Sequence, residues 1–366
     1  MTSRIAAGWV TLLAVLGAGQ AAAQTAVSVP VELISVSNPG LAVGGAGSVV
    51  ILRATPQYTV ASVNGNARTE LSVGATIERS SNTALSSNRE DPNLRLLWES
   101  TSAVSVLQLR ASVEEASTRE TEFSEFGQTV LDGTQRTASL GATWTRQLSA
   151  SQSLEVGAVH ASVDYDLPSF VDYRETRGLA SYRVEASPTT RYIVGTSISR
   201  LRFDSPGTAA TRTGVSLGLE RDLTQSLALL GSVGATRVSA PARDTVGVAS
   251  VRLNYTGERF RASAAIARDV SASGTLVRYV PSQTAEFSAG YSLTSSTDLS
   301  AGVSQSRTRE SLRTTGTTAF VRVRSTLSER WTAIAGLDHR RSEGVGGIAA
   351  RSNGVSVGLV YAFSSL

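Results

Sequence analysis

An all-β fold, a transmembrane antiparallel up-and-down β-barrel of about 16–18 strands, is what this sequence predicts. Three observations predict it: dyad alternation of apolar and polar residues, short connections alternating with longer ones, and aromatic residues gathered at one end of the strands. The alternation is plainest near the C-terminus, where Val355, Val357, Leu359, Tyr361 and Phe363 share one face and Gly354, Ser356, Gly358 and Ala362 the other. It recurs at Val215, Leu217 and Leu219 against Arg212, Gly214, Ser216, Gly218 and Glu220, and at Ala319, Val321 and Val323 against Arg322 and Arg324. Successive strand residues point to opposite faces, so each segment has one face suited to lipid and one suited to water. Repeated without helical stretches between, such strands leave no unpaired edge in lipid only when they close into a barrel.

The elements follow in order. Arg4, the apolar run Ile5 to Gly19 and Ala21-Ala22-Ala23 form the three parts of a secretory signal, with cleavage expected after Ala23. The run is shorter than the roughly 20 residues that a membrane-spanning helix needs. Residues 24–48 are expected as an N-terminal periplasmic segment or a first strand, and residues 49–366 as the barrel. Val29 to Ser37 can pair with Val49 to Ser62, which brings the count to eighteen strands; without that pair it is sixteen.

From residue 67 onward the strands are separated by punctuation. Short connections fall at Asn64-Gly65-Asn66, Thr101-Ser102, Ser149-Ala150-Ser151, Ser187-Pro188-Thr189, Thr224-Gln225, Thr256-Gly257-Glu258, Ser295-Ser296 and Ser328-Glu329-Arg330. Longer ones fall near residues 81–92, 119–133, 166–172, 204–210, 239–243, 270–282, 309–313 and 344–348. Outer-membrane barrels keep their turns short on the periplasmic side and their loops long outside. The expected location is therefore the bacterial outer membrane.

Trp98, Trp144, Tyr192, Tyr255, Phe260, Tyr291, Trp331, Tyr361 and Phe363 all lie near a short turn or the C-terminus and share the apolar parity. Amphipathic rings prefer headgroup depth, so these residues are expected to form an aromatic girdle. At the opposite ends of the same faces stand Arg79, Arg200, Arg202, Arg237, Arg268, Arg307 and Arg309. These either meet phosphates of the outer-leaflet lipopolysaccharide, which a guanidinium can fork, or extend into water above the membrane. The expected partners are thus outer-membrane lipid and lipopolysaccharide.

The inward parity carries mixed charge. Arg212, Glu220, Arg252, Arg261, Glu286, Arg322 and Arg324 are the candidates to line the lumen, beside Glu70, Glu78, Asp269, Asp338 and Arg340. They either bridge strands as a charge ladder or line a path for a polar solute, with arginine favouring acidic groups.

Composition narrows the classes. No cysteine is present, which removes disulfides and thiolate metal sites. The formal charge of +4 comes with dispersed rather than clustered arginines, unlike a nucleic-acid surface. Only His160 and His339 could serve as catalytic imidazoles, and neither has a metal-binding spacing or a nucleophile motif beside it. Gly44-Gly45-Ala46-Gly47 and Gly344-Val345-Gly346-Gly347 lack the Lys and the following helix of a phosphate loop. No enzymatic activity, cofactor, metal or nucleic acid is expected.

The stretches Asn88-Arg89-Glu90-Asp91-Pro92-Asn93-Leu94, Ser117-Thr118-Arg119-Glu120-Thr121-Glu122 and Leu327-Ser328-Glu329-Arg330-Trp331-Thr332-Ala333 resemble the outer-membrane β-barrel proteins of exopolysaccharide biosynthesis and PEP-CTERM (exosortase) systems. The resemblance covers most of residues 50–366 and carries no catalytic signature. It implies a porin-like channel in export or surface display of exopolysaccharide, with that polymer and its export machinery as partners. Barrel assembly signals commonly finish on an aromatic residue, whereas here Phe363 is followed by Ser364-Ser365-Leu366; the barrel assembly machinery is the remaining expected partner. The residues themselves leave two alternatives open: a non-conducting structural or scaffolding barrel, and a general diffusion porin for small hydrophilic solutes.

Overall fold

A computed structural model describes residues 23–45, 47–128, 131–205, 209–239, 244–308, 314–344 and 348–365. The expected signal segment lies outside the described residues. From the first described residue the chain is strand: β1 (Ala23–Ser37), β2 (Ser48–Ala54), β3 (Gln57–Asn64), β4 (Ala67–Ser80), β5 (Arg89–Thr101) and β6 (Ser105–Ser117). A helix, α1 (Thr118–Phe126), follows, and then β7 (Thr134–Ser149), β8 (Gln152–Tyr165), β9 (Tyr173–Ser187), β10 (Thr190–Phe203), β11 (Ala209–Asp222) and β12 (Leu227–Val238). The chain continues through β13 (Asp244–Thr256), β14 (Phe260–Ser273), β15 (Arg278–Ser292), β16 (Thr297–Thr308), β17 (Thr314–Thr326), β18 (Trp331–Glu343) and β19 (Ala349–Ser365).

Every neighbour pairing is antiparallel, and β1 closes the ring by pairing with β19 from Thr25 opposite Ser365 to Val36 opposite Gly354. Segments β2 and β3 are two halves of one strand. Val31 of β1 faces Ala54 and Ser28 faces Gln57, while Ile77 and Gly74 of β4 face the same two residues. No residue is gained or lost across Thr55-Pro56, so the barrel is closed with 18 strands. The ladder lapses there because proline has no N–H to donate. The flanking groups still bond, Thr55 N–H to the Pro30 carbonyl at 2.9 Å and Ala75 N–H to the Pro56 carbonyl at 3.1 Å.

The first barrel strand runs over Ala23–Ser37. Facing follows parity: Val215 and Leu217 are 63% and 61% exposed on the outer face, whereas Arg212, also on β11 but inward, is 8% exposed. A shift by one residue would reverse every such assignment.

Two of the expected loops are more than loops. Residues 119–133 contain α1, which has Ser117 before it and Glu120 in its first turn. Gly127 ends it at φ 68, a left-handed position that glycine takes without a Cβ penalty. Residues 270–282 form the tip of a hairpin, since β14 and β15 stay paired as far as Ser273 opposite Arg278. That tip has left its neighbours: β13 pairs with β14 only up to Ala249 opposite Arg268, and β16 with β15 only up to Thr308 opposite Ser282.

Candidate functional site: the inward-folded segments and the lumen

The long-loop end of the barrel is filled from two sides. The first insertion is the segment between β6 and β7, whose base is stapled shut. Thr118 N–H donates to the Gly133 carbonyl at 3.0 Å, the Thr118 hydroxyl donates to the Leu131 carbonyl at 2.9 Å, and Gly133 N–H donates to that hydroxyl at 3.0 Å. Arg89 lies under this neck, nearly buried. It forks Asp91 with bonds of 2.8 and 3.0 Å, donates to the Gly133 carbonyl at 2.9 Å and stands 3.5 Å from Asp132. A buried guanidinium is tolerated only when its charge and donors are satisfied, and here three partners do so. Burial alone would raise the Asp132 carboxyl, but bonds from Ser87 and Ser117 and the nearby Arg119 outweigh it and hold the pKa below the usual carboxylate range.

From this neck α1 crosses the lumen. The hydroxyls of Thr308 and Thr314 donate to the Phe126 carbonyl at 3.0 and 2.9 Å, and the Ser306 hydroxyl donates to the Ser124 carbonyl. These residues face inward from β16 and β17, nearly opposite β6 around the ring. A helix C-terminus leaves carbonyls without intrahelical partners, and the wall hydroxyls satisfy them. Phe126 is 1% exposed at the junction.

The second insertion is the β14–β15 hairpin tip. Val270, Ala272 and Tyr279 share one of its faces and pack with Leu201, Phe203, Ala210, Val238 and Val246 from the inward faces of β10 to β13. Arg212 fastens it. Its guanidinium donates to the Val270 carbonyl, lies 5.2 Å from the centre of the Tyr279 ring and stands 3.7 Å from Glu175. Tyr279 Oη in turn donates to Glu175 at 2.9 Å. The two insertions meet where the Thr275 hydroxyl donates to Glu122 of α1 at 3.0 Å. Burial pushes the Glu122 carboxyl up; the Thr275 bond opposes this and Glu125 adds to it, leaving a pKa of about 7.

Two interior cavities flank these insertions. One, of about 350 Å³, is lined by Arg53, Glu78, Arg119, Arg322, Asp338 and Arg340 among others. The other, of about 380 Å³, is lined by Arg177, Arg212, Ser197, Ser232, Thr236 and Asp269 among others. Of the lumen candidates, Arg322 lines the first cavity and Arg212 the second. Glu220 faces inward, 3.3 Å from Arg183. Arg252 and Glu286 are register neighbours of Ala265 on the same inward face, and Arg261 lies further along it toward the short turns. Arg324 follows Arg322 on one face of β17 and is exposed to the lumen. The candidates therefore do not form one cluster, and Arg212 serves as a fastening rather than as open wall. Glu70 bonds Arg68 at 2.7 Å.

On the outer face, Trp98, Trp144, Tyr192, Tyr255, Phe260, Tyr291, Trp331, Tyr361 and Phe363 all point outward at the short-turn end. Tyr255 and Phe260 stack at 5.8 Å, and Trp331 meets Tyr361 edge-on at 5.2 Å. At the long-loop end Arg79, Arg200, Arg202, Arg237, Arg268 and Arg307 point outward; Arg309 lies outside the described residues. Arg79 forms an ion pair with Glu90. His160 and His339 each bond across strands, to Thr176 at 2.9 Å and to Asn353 at 2.8 Å.

Sequence reasoning gave no site role to Arg89, Asp91 and Asp132 at the neck, to Glu122, or to the Glu175–Tyr279 pair. A signal for the helix was present: Ser117 with Glu120 three residues on is a capping pattern, and it stands in the longest connection. The Ser117 hydroxyl is diverted to Asp132 at 3.1 Å and does not cap the helix. Nothing in the chain's local pattern marks Glu175 as a partner for a residue 104 positions away.

No family model matches the chain, and no curated protein matches it. Solved structures do. OccK2 (OpdF) of Pseudomonas aeruginosa is similar at a TM-score of 0.53 and 9% identity, over 94% of this chain and 98% of that one. OccAB4 of Acinetobacter baumannii gives 0.52 and 9%, over 94% and 99%. The FrpB iron transporter of Neisseria meningitidis (F3-3 variant) gives 0.51 and 11%, over 95% and 82%. At these identities the likeness is one of fold: a porin-like barrel of the outer-membrane type.

Proposed function

We propose that the protein is an outer-membrane channel passing small hydrophilic solutes through a mouth narrowed by α1 and the β14–β15 tip. The observation that supports this most is the pair of charged cavities, about 350 and 380 Å³, left on either side of the insertions. A lumen that served only to be filled would have its arginines matched by carboxylates. Arg322 and Arg324 instead face it with no ion pair to a described residue. A positive wall lowers the electrostatic barrier for anions, so the solutes favoured are small and acidic.

The two fastened insertions favour a second reading, a barrel that is closed at rest and acts as a scaffold. The role in exopolysaccharide export rests on the resemblance of the three short segments alone, and a mouth this narrow suits a small solute better than a polymer. Planar-bilayer recording separates the readings. Stepwise current with an anion-biased reversal potential supports the channel, and a correctly folded but silent barrel supports the scaffold. Loss of surface polysaccharide on deleting the gene would support the export role.

A further inference from the structure

Two strands, β10 and β12, carry cations on their outer rim that have no counter-ion, and β11 between them carries hydroxyls. Arg200 of β10 lies opposite Thr211 of β11, and Thr213 of β11 lies opposite Arg237 of β12, all on the outward face. Arg202 stands one pleat beyond Arg200. None of the three arginines forms an ion pair with a described residue. Of the carboxylates at this rim, Asp204 is 3.7 Å from Arg174, and Asp244, opposite the buried Val238, belongs to the inward face. Thr211, Thr213, Arg237 and Ser239 enclose a surface pocket of about 270 Å³.

Below this pocket, on the same face, runs an apolar groove of about 660 Å³. Leu154, Tyr182, Val194, Leu217 and Val233 form one wall as a single register row across β8 to β12. Ala180 and Thr196, in the next row, are small enough to leave a depression beside Val215. Thr196 and Arg200 are four residues apart on β10, about 13 Å at the usual strand rise. Guanidiniums and hydroxyls therefore cap an apolar channel at the depth where a lipid headgroup meets its chains.

We propose that this column binds one phosphorylated, multiply acylated glycolipid of the outer leaflet. Its phosphate sits between Arg200 and Arg237 on the hydroxyls of Thr211 and Thr213, and one acyl chain lies along the Thr196–Val215 depression. Arginine suits the role because its planar fork can give a phosphate two parallel hydrogen bonds. The site is local. Arg79 belongs to the same basic rim, but Glu90 already neutralises it. The proposal is independent of whether the lumen conducts.

The test reconstitutes the full chain in phosphatidylcholine nanodiscs containing rough lipopolysaccharide and counts retained glycolipid by native mass spectrometry after detergent release. One glycolipid per barrel is expected to persist in the wild type and in Arg79→Ala. Retention should fall about tenfold or more in Arg200→Ala with Arg237→Ala, the change that a lost charged contact of modest strength gives. It should fall also in Thr196→Trp, which fills the groove. Heat-modifiable gel mobility is used to admit only folded variants. Three outcomes overturn the proposal: equal retention by the double variant, an equal loss on Arg79→Ala, or displacement by inorganic phosphate, which would mark an anion site without a lipid.

Discussion

Gly127 and Gly316 meet backbone to backbone where α1 reaches the far wall of the barrel. A Cβ built on Gly127 would lie 2.4 Å from the Gly316 nitrogen, and one built on Gly316 would lie 2.8 Å from the Gly127 Cα. The contact sets how far the helix can travel across the lumen, because a side chain on either residue holds the two backbones apart. The Phe126 carbonyl then loses its bonds to Thr308 and Thr314.

Gly316→Val is therefore expected to undock the helix end while leaving the β-ladder intact, since valine suits a strand. Single-channel recording should show larger or noisier conductance than the wild type, with unchanged heat-modifiable mobility. Conductance identical to the wild type would mean that α1 does not narrow the path.

The hairpin tip has its own fastening. Arg212→Ala removes the bond to Val270, the ring contact to Tyr279 and the charge beside Glu175, and leaves Glu175 without its cation. Breaking a buried ion pair on one side costs on the order of 3 kcal/mol, enough to expose the tip to protease. Limited proteolysis should cut between Val270 and Pro281 in the variant and spare the wild type.

Docking of α1 onto the hairpin should depend on pH through Glu122. Its docked pKa of about 7 lies above the ordinary carboxyl value of 4.5, so the docked form binds the proton more tightly than the free form. The stabilisation is complete below about 4.5, declines as pH rises from there, and is gone above about 7. The shift corresponds to roughly 3 kcal/mol across that interval. Conductance should rise between pH 5 and pH 8, and Glu122→Gln should flatten most of that rise. A profile that the variant leaves unchanged would assign the gating elsewhere.

Facing can be tested by charge insertion. Val321 and Arg322 are neighbours on β17, the first outward beside Ala301 and the second inward beside Ser300. Val321→Arg should cost about 2–4 kcal/mol at mid-depth, whereas Ser300→Glu places a carboxylate opposite Arg322 on the aqueous side at little cost. Assembly into membranes, followed by gel mobility, should fail for the first and succeed for the second.

The barrel wall was legible because facing, turns and girdle are each written within a few residues. Val355, Val357 and Leu359 reveal their side by alternation, and Asn64-Gly65-Asn66 reveals its turn by residue type. Period-2 patterning responds only to lipid on one side and water on the other, so no distant partner is needed to read it. Even the parity of Arg212 and Arg200 followed from counting. Val49 to Ser62 was legible as one strand, and the lapse of its ladder at Thr55-Pro56 was not.

What fills the barrel was decided only by tertiary structure. Arg212 was readable as inward, but whether it lines a pore or fastens a hairpin depends on Val270, 58 residues away, and on Tyr279 and Glu175. Glu122 is a surface-like residue in a polar helix until Thr275 and the opposite wall bury it. The sequence by itself determined a closed wall with a lipid side and a water side. The inward folding of α1 and the β14–β15 tip was set by contacts across the lumen, where packing and charge satisfaction between distant residues leave no periodic trace in the chain.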